Sequence, residues 1–266
     1  MRWRVLSLLI LAHASCATSP ATPPAAGLGA APDPSATPLN EGVGPAGPVS
    51  HRLHDAHAHP HGRDGRDPNH GNHPMPHRFD DAARWAAVFD APERDAWQRP
   101  TVVVAALVGA REDLVVADIG AGTGYFAVHF ARALPAGRVI AADIEPTLLA
   151  WVAERAQTAG LMNLTTHLTP PDGLAWGADM PRIDLAFSCN TYHHIADRPR
   201  YFAGVRAALA PRGRLAIVDF TPDSPRGPAR HHRVPPEVVI AELAEAGFRM
   251  VARLDLLPDQ FLLVFE

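Results

Sequence analysis

The chain has 266 residues, with 24 Lys and Arg against 28 Asp and Glu, and its formal net charge of -4 supplies no global field for gathering nucleic acid. Its two cysteines, Cys16 and Cys189, are too few and too differently placed for a disulfide framework.

At the amino terminus, Arg2 and Arg4 precede an apolar run, Val5 to Ala12, which is too short to span a bilayer and has the shape of a secretory signal. Ala14-Ser15-Cys16 resembles the end of a bacterial lipoprotein signal, whose cysteine is acylated and becomes the new amino terminus. His13 departs from the Leu usual three residues before that cysteine, and Ala12-His13-Ala14 offers ordinary small-x-small cleavage instead. Residues 1–16 are therefore expected to be a signal, and the protein an exported one held at the periplasmic membrane face through Cys16. If the signal is not used, the chain stays in the cytoplasm.

Residues 17–50 are rich in Ala, Pro, Thr, Ser and Gly, with too little large apolar surface to offset ordering entropy, and are expected to form a disordered tether. Residues 51–77 are expected to be a disordered histidine-rich segment, densest at His57-x-His59-x-His61. Such a tract has loose affinity for zinc, copper or nickel, but no geometry follows from it and no metal ligand is assigned.

From residue 78 the character changes. Phe79, Ala82, Ala83, Ala86 and Phe89 recur at helical spacing, and Trp85 and Trp97 add large apolar bodies, so a helical extension over 78–110 is expected to belong to one domain spanning 78–266. Two placements are open for it: a lid across a cleft, or simple packing on the sheet edge.

Residues 115 to 126, Val-Val-Ala-Asp-Ile-Gly-Ala-Gly-Thr-Gly-Tyr-Phe, run a β-branched strand into three alternate glycines and then a helix from about Tyr125 to Leu134. Gly120, Gly122 and Gly124 let the backbone turn tightly and approach a ligand. Asp118 sets a carboxylate at the strand end, where it can meet a cation, and the helix opens with N–H groups facing the same crevice. The order Asp-x-Gly-x-Gly-x-Gly differs from the dinucleotide fingerprint and suits a ligand without phosphates. A second strand, Arg138 to Ile144, ends at Asp143, which can accept both ribose hydroxyls of a nucleoside or cap the helix that begins near Pro146.

The alternation continues with strands at Leu164 to Leu168, Ile183 to Ser188 and Gly213 to Phe220, and a closing pair at Phe248 to Leu256 and Phe261 to Glu266. Helices are expected at Thr147 to Ala159, Arg198 to Leu209 and Pro235 to Ala246. This pattern predicts an α/β fold with a mostly parallel, doubly wound sheet covered on both faces, and the turn around Pro258-Asp259 predicts a final hairpin.

The strand, acid and glycines at 115–126 resemble the first motif of the class I S-adenosylmethionine-dependent methyltransferases, and the resemblance extends over about residues 79 to 266. Asp184 to His194 looks like that family's fourth strand, and Leu209 to Phe220 like its fifth, with Arg212 in place of a turn glycine while Gly213 is kept. The resemblance implies a seven-stranded, Rossmann-like sheet with a reversed last strand and S-adenosyl-L-methionine as cofactor. Asp118, Gly120, Gly122 and Gly124 would then hold its amino-acid end, Asp143 its ribose and Asp172 its adenine amino group, with Ala121, Ile144 and Asn190 also in the cofactor set.

Methyl transfer is an in-line displacement in which the protein chiefly aligns a nucleophile, and a base is needed only if that nucleophile is bound protonated. Tyr192, His193 and His194 stand where such a base could stand. The competing reading has one histidine bonded to backbone and the other in solvent. Asn190-Thr191-Tyr192-His193 is not the Asn-Pro-Pro-Tyr element of many amino methylases, and the thiols of arsenite methyltransferases are missing, so a small-molecule oxygen or carbon acceptor is the default. A non-catalytic nucleoside sensor is the other reading of an exported fold of this kind. The basic run Arg226, Arg230, His231, His232 and Arg233 either greets an anion or is a solvated loop.

Overall fold

The computed structural model describes residues 81–266. The signal, tether and histidine-rich tract expected over 1–77, and Phe79, lie outside the described residues.

Three helices come first: α1 (Ala82–Phe89), α2 (Arg94–Gln98) and α3 (Pro100–Val108). Asp81 caps α1 by accepting the Arg84 N–H at 3.0 Å, and Pro100 starts α3, where its missing N–H costs nothing. Then follow β1 (Val115–Ile119), α4 (Tyr125–Ala133), β2 (Arg138–Asp143), α5 (Pro146–Thr158), β3 (Leu164–Leu168), β4 (Ile183–Cys189), α6 (Arg198–Ala208), β5 (Leu209–Phe220), α7 (Pro236–Glu245), β6 (Met250–Arg253) and β7 (Gln260–Phe265).

The seven strands form one sheet in the order β3-β2-β1-β4-β5-β7-β6, with β7 antiparallel to both neighbours and the other pairings parallel. The central strands are buried on both faces, which is why they read as continuous apolar runs. On one face Leu185, Phe187, Ala216 and Val218 pack beneath α3 and α4, and Phe187 sits 4.8 Å from Phe126 and 5.0 Å from Phe130, ring centre to ring centre. On the other, Ile183, Ala186, Leu215 and Ile217 pack beneath α6 and α7. Truncating Phe187 to Ala would cost about 3–5 kcal/mol, the range for emptying a filled aromatic site.

Two boundaries of the expected strands differ by three residues or more. Strand β5 starts at Leu209, because Leu209 pairs with Ile183 before the ladder resumes at Leu185 and Arg214. Gly213 is required inside that irregularity, since a Cβ there would stand 2.5 Å from the Ile183 carbonyl, whereas Arg212 is exposed and its position tolerates a side chain. Strand β6 ends at Arg253; Leu254 N–H still donates to the Leu262 carbonyl at 2.9 Å, and Leu254, Leu256 and Leu257 pack on the α3–α4 core.

Strand order reverses between β1 and β4, whose neighbours lie on opposite sides. Such a switch point opens a crevice at the strands' carboxyl ends, where the glycine loop and residues 190–194 both emerge.

Candidate active site

Gly120, Gly122 and Gly124 adopt left-handed φ values of +69°, +56° and +78°. They are not equivalent. A Cβ on Gly120 would stand 2.3 Å from the Thr191 side chain and one on Gly124 2.9 Å from Val152, so the protein's own packing excludes side chains there. A Cβ on Gly122 would meet only the Phe89 ring of α1, at 3.6 Å, an ordinary contact. Gly122 is thus the glycine whose Cβ would meet a ring of the overlying α1 rather than the domain's core.

The loop is tied to β2. The N–H groups of Gly120 and Ala121 donate to the Ala142 carbonyl at 2.8 and 3.1 Å, and Gly122 N–H donates to Asp143 Oδ2 at 2.8 Å. Asp143 Oδ1 accepts from Glu145 N–H at 3.0 Å. Each carboxylate oxygen keeps a second lone pair, so Asp143 can brace the loop and still receive ligand hydroxyls. Burial raises the Asp143 carboxyl above its ordinary value, against the bonds from Glu145 and Gly122.

Asp118 is 3% exposed, and burial pushes its carboxyl up to about 7, with the Arg94 charge opposing and Asp143 adding to the rise. A buried carboxylate in this state gains from a cationic ligand. Ile144 and Leu168, at the ends of β2 and β3, are 49% and 57% exposed and offer apolar surface for a planar base. Asp172 lies exposed on the loop after β3. The residues present therefore fit a nucleoside bearing an amino-acid tail.

The amino-terminal helices cover this end of the sheet. Asp90, at the end of α1, accepts from Thr123 Oγ1 at 3.2 Å and from Arg155 at 3.0 Å, which fastens α1 to the glycine loop. The Arg94 guanidinium sits 3.9 Å over the Tyr125 ring and donates to the Phe89 carbonyl and Gln98 Oε1, while Tyr125 OH donates to Asp95. Gln98 is fully buried and donates to Cys189 Sγ and Gln260 Oε1, both at 2.9 Å, and Gln260 donates to Asn190 Oδ1.

Past β4, Asn190 takes a left-handed φ of +59° and its N–H donates to the Val218 carbonyl at 2.9 Å. Thr191 Oγ1 donates to Gly120 O at 3.2 Å, joining this corner to the glycine loop. The next three residues then separate. Tyr192 is fully buried on the α6–α7 side, stacked on Phe202, and its hydroxyl donates to Glu242 Oε2 at 2.7 Å. Burial, the bond to Glu242 and the Glu242 charge raise the Tyr192 pKa, with Arg198, which grips Glu242 through two bonds, opposing the rise, and the phenol serves as a buried prop. Of the three residues expected near the acceptor, Tyr192 thus turns into the core, with its hydroxyl on Glu242.

His193 Nδ1 bonds Asp219, 3.0 Å from Oδ1 and 2.9 Å from Oδ2, and both side chains are almost wholly buried. Asp219 Oδ1 also accepts from Phe220 N–H at 2.8 Å. His194 lies against His193, the rings tilted by 41° with centres 4.2 Å apart. Neither sequence reading of the histidines foresaw the Asp219 partner.

The basic run is mostly structural. Arg233 donates to the carbonyls of Pro222, Ser224, Arg226 and Pro228, folding the β5–α7 loop on itself. Arg226 pairs with Asp259 and lies 5.7 Å over the Trp97 ring. Among the described residues no group of three or more His, Cys, Asp or Glu converges as a metal site.

Sequence reasoning missed Arg94, Gln98, Asp219 and Gln260. The β4–β5 register, Cys189 beside Val218, sets Asp219 level with Asn190, so strand pairing was the one signal that could have found it. Arg94 and Gln98 stand four apart on a short helix, a spacing too common to single out.

The sheet order, the reversed β7 and the glycine loop define a class I methyltransferase fold. Residues 116–213 match the family model described as a methyltransferase domain. Similar curated proteins include a demethylmenaquinone methyltransferase of Thermus thermophilus, 30% identical over 135 residues that make up 49% of this chain and 56% of that protein. A malonyl-[acyl-carrier protein] O-methyltransferase of Xylella fastidiosa is 32% identical over 124 residues, 44% of this chain and 38% of the other. The chain thus spans about half the length, or less, of these relatives. Among solved structures, a SAM-dependent methyltransferase from Aquifex aeolicus superposes with a TM-score of 0.64 at 21% identity, over 71% of this chain and 98% of its own.

Proposed function

We propose that the protein is an S-adenosylmethionine-dependent methyltransferase acting on a small-molecule acceptor. The observation that carries this reading is the juxtaposition, at one switch point, of the Asp118–Gly124 loop braced by Asp143 and the His193–Asp219 pair. Asp118 holds the cofactor's ammonium, Asp143 its ribose hydroxyls, and Ile144 and Leu168 flank its base. The bound cofactor supplies an electrophilic methyl group that needs no activation by the protein.

Asp219 fixes the His193 tautomer with the proton on Nδ1, which leaves Nε2 as the basic nitrogen. Nε2 would take the proton of the bound acceptor's hydroxyl, freeing its oxygen for the methyl group that the cofactor would supply, and Asp219 would stabilise the imidazolium that results. One relative is named a malonyl-[acyl-carrier protein] O-methyltransferase, which accords with an oxygen nucleophile. Calorimetric titration with S-adenosylmethionine and S-adenosylhomocysteine, followed by transfer assays on phenols, quinols and small acids, tests the proposal. Tight cofactor binding with no turnover on any acceptor would turn the protein into a sensor.

We further propose that the domain works outside the cytoplasm as a lipoprotein acylated at Cys16, with residues 51–77 as a loose metal-binding tract. Arg2, Arg4, the apolar run and Ala14-Ser15-Cys16 support the anchor, and the density of histidines supports the tract. Mass spectrometry of native protein decides the first point: unprocessed chain in the cytosol refutes the anchor. Retention on a nickel column with and without residues 51–77 decides the second.

A further inference from the structure

Four side chains from three parts of the chain form a single line of hydrogen bonds: Arg94 to Gln98, Gln98 to Gln260, and Gln260 to Asn190. Its direction is set by chemistry. A guanidinium has donors and no acceptor, so the Gln98 oxygen must face Arg94 and the Gln98 NH₂ must face away from it. That NH₂ meets the Gln260 oxygen, which turns the Gln260 NH₂ toward the Asn190 oxygen. Asn190 Nδ2 is then the outgoing end. Gln98 is fully buried and Gln260 is 4% exposed, whereas Asn190 is partly exposed beside Thr191 and the glycine loop.

We propose that this polarised chain makes Asn190 an obligate donor, so that the site takes an acceptor oxygen, such as that of a carboxylate, carbonyl or enolate, at this corner. The partly buried Arg94 cation at the far end strengthens each successive bond by polarising the next amide. A free amide could turn its oxygen toward a ligand that only donates, but this amide cannot rotate without breaking a buried bond. The oxygen belongs either to the cofactor's carboxylate or to the methyl acceptor, and in both cases its identification rests on the methyltransferase reading.

Gln98→Glu tests the idea because it reverses the line while keeping its bonds. The introduced carboxylate still receives Arg94 but has no donor, so Gln260 must turn its NH₂ toward that carboxylate and Asn190 must present its oxygen. Exchange of the Asn190 side-chain amide protons reads this without any ligand: fast in the wild type, slow in Gln98→Glu. Slow exchange already in the wild type overturns the assigned polarity. The ligand arms use S-adenosylhomocysteine, its analogue lacking the carboxylate, and acetophenone and aniline followed by saturation-transfer NMR.

A fall of at least tenfold in S-adenosylhomocysteine affinity, with the decarboxylated analogue unmoved, assigns the oxygen to the cofactor. Unchanged S-adenosylhomocysteine affinity with loss of the acetophenone signal and a gain for aniline assigns it to the methyl acceptor. No difference between the two proteins for any probe overturns the proposal. Failure of the wild type to bind S-adenosylhomocysteine defeats the methyltransferase reading instead and leaves the proton-exchange result standing. Should Gln98→Glu not fold, Asn190→Asp removes the outgoing donors without touching a buried amide, and the same ligand outcomes apply.

Discussion

His193 Nδ1 lies 2.9 Å from Asp219 Oδ2, across the carboxyl ends of two paired strands, and the two side chains are only 3% and 2% exposed. A carboxylate in that position orients the ring and stabilises its charged form. His193→Gln should therefore lower turnover by about 10²–10⁴-fold, the usual weight of a positioned acid–base group, while S-adenosylhomocysteine affinity stays nearly constant. Asp219→Asn should lose a comparable factor by favouring the wrong tautomer. Calorimetry together with transfer rates on the acceptor panel separates the two effects, and equal rates in wild type and His193→Gln would remove the histidine from the chemistry.

The glycines predict a division of labour. Gly120→Ala drives a Cβ to 2.3 Å from Thr191 and should destabilise the fold, lowering the melting temperature whether or not cofactor is present. Gly122→Ala meets no close protein atom, and its left-handed φ of +56° costs about 1–2 kcal/mol. Gly122→Val keeps that penalty and adds bulk beneath Phe89, so its loss of S-adenosylhomocysteine binding should exceed its loss of stability. Thermal melts with and without ligand measure both.

The parallel sheet was legible because each central strand is buried twice and each βα turn carries its own marker: glycines after β1, Asp143 and Pro146 after β2, Asn190 after β4. The local motif likewise placed Asp118 and Asp143. What could not be read were pairings between distant elements. Tyr192 and His193 are sequence neighbours, yet the short turn at Tyr192–His194 sends one to Glu242, 50 residues on, and the other to Asp219. The same holds for Gln98 and Gln260, 162 residues apart, whose contact exists only because β7 inserts antiparallel beside β5.

Asp143→Asn should weaken S-adenosylhomocysteine binding by about 1–3 kcal/mol, the scale for a buried hydrogen-bond partner turned the wrong way. Because Asp143 also accepts from Gly122 and Glu145, the melting temperature should fall as well, and Asp143→Ala should lower it further. Calorimetry on both variants against wild type checks the ordering, and a variant that binds as tightly as wild type would remove Asp143 from the ligand set.

Asp118 links binding to pH. Its carboxyl stands near 7 in the folded protein through burial, against an ordinary value of 3.8, so the native state holds a proton that the unfolded chain releases. From this group alone, stability is greatest at low pH, falls as pH rises from about 4 to 7, and is level above that. Cofactor binding runs the other way, because an ammonium ligand favours the ionised carboxylate. S-adenosylhomocysteine affinity should rise by up to about tenfold per pH unit below 7 and decline above about 8, where an α-amino group loses its own proton. Asp118→Asn removes the buried charge and keeps the shape. It should raise the melting temperature at pH 8, by about 2–4 °C for each kcal/mol of relieved desolvation, while losing most S-adenosylhomocysteine affinity and nearly all of its pH dependence. Melting curves and titrations between about pH 5.5 and 8.5 follow both quantities in the same samples, bracketing the folded-state value near 7. A variant that is no more stable at pH 8 and binds with the wild-type pH profile would show that the Asp118 carboxylate does not meet the ligand's ammonium.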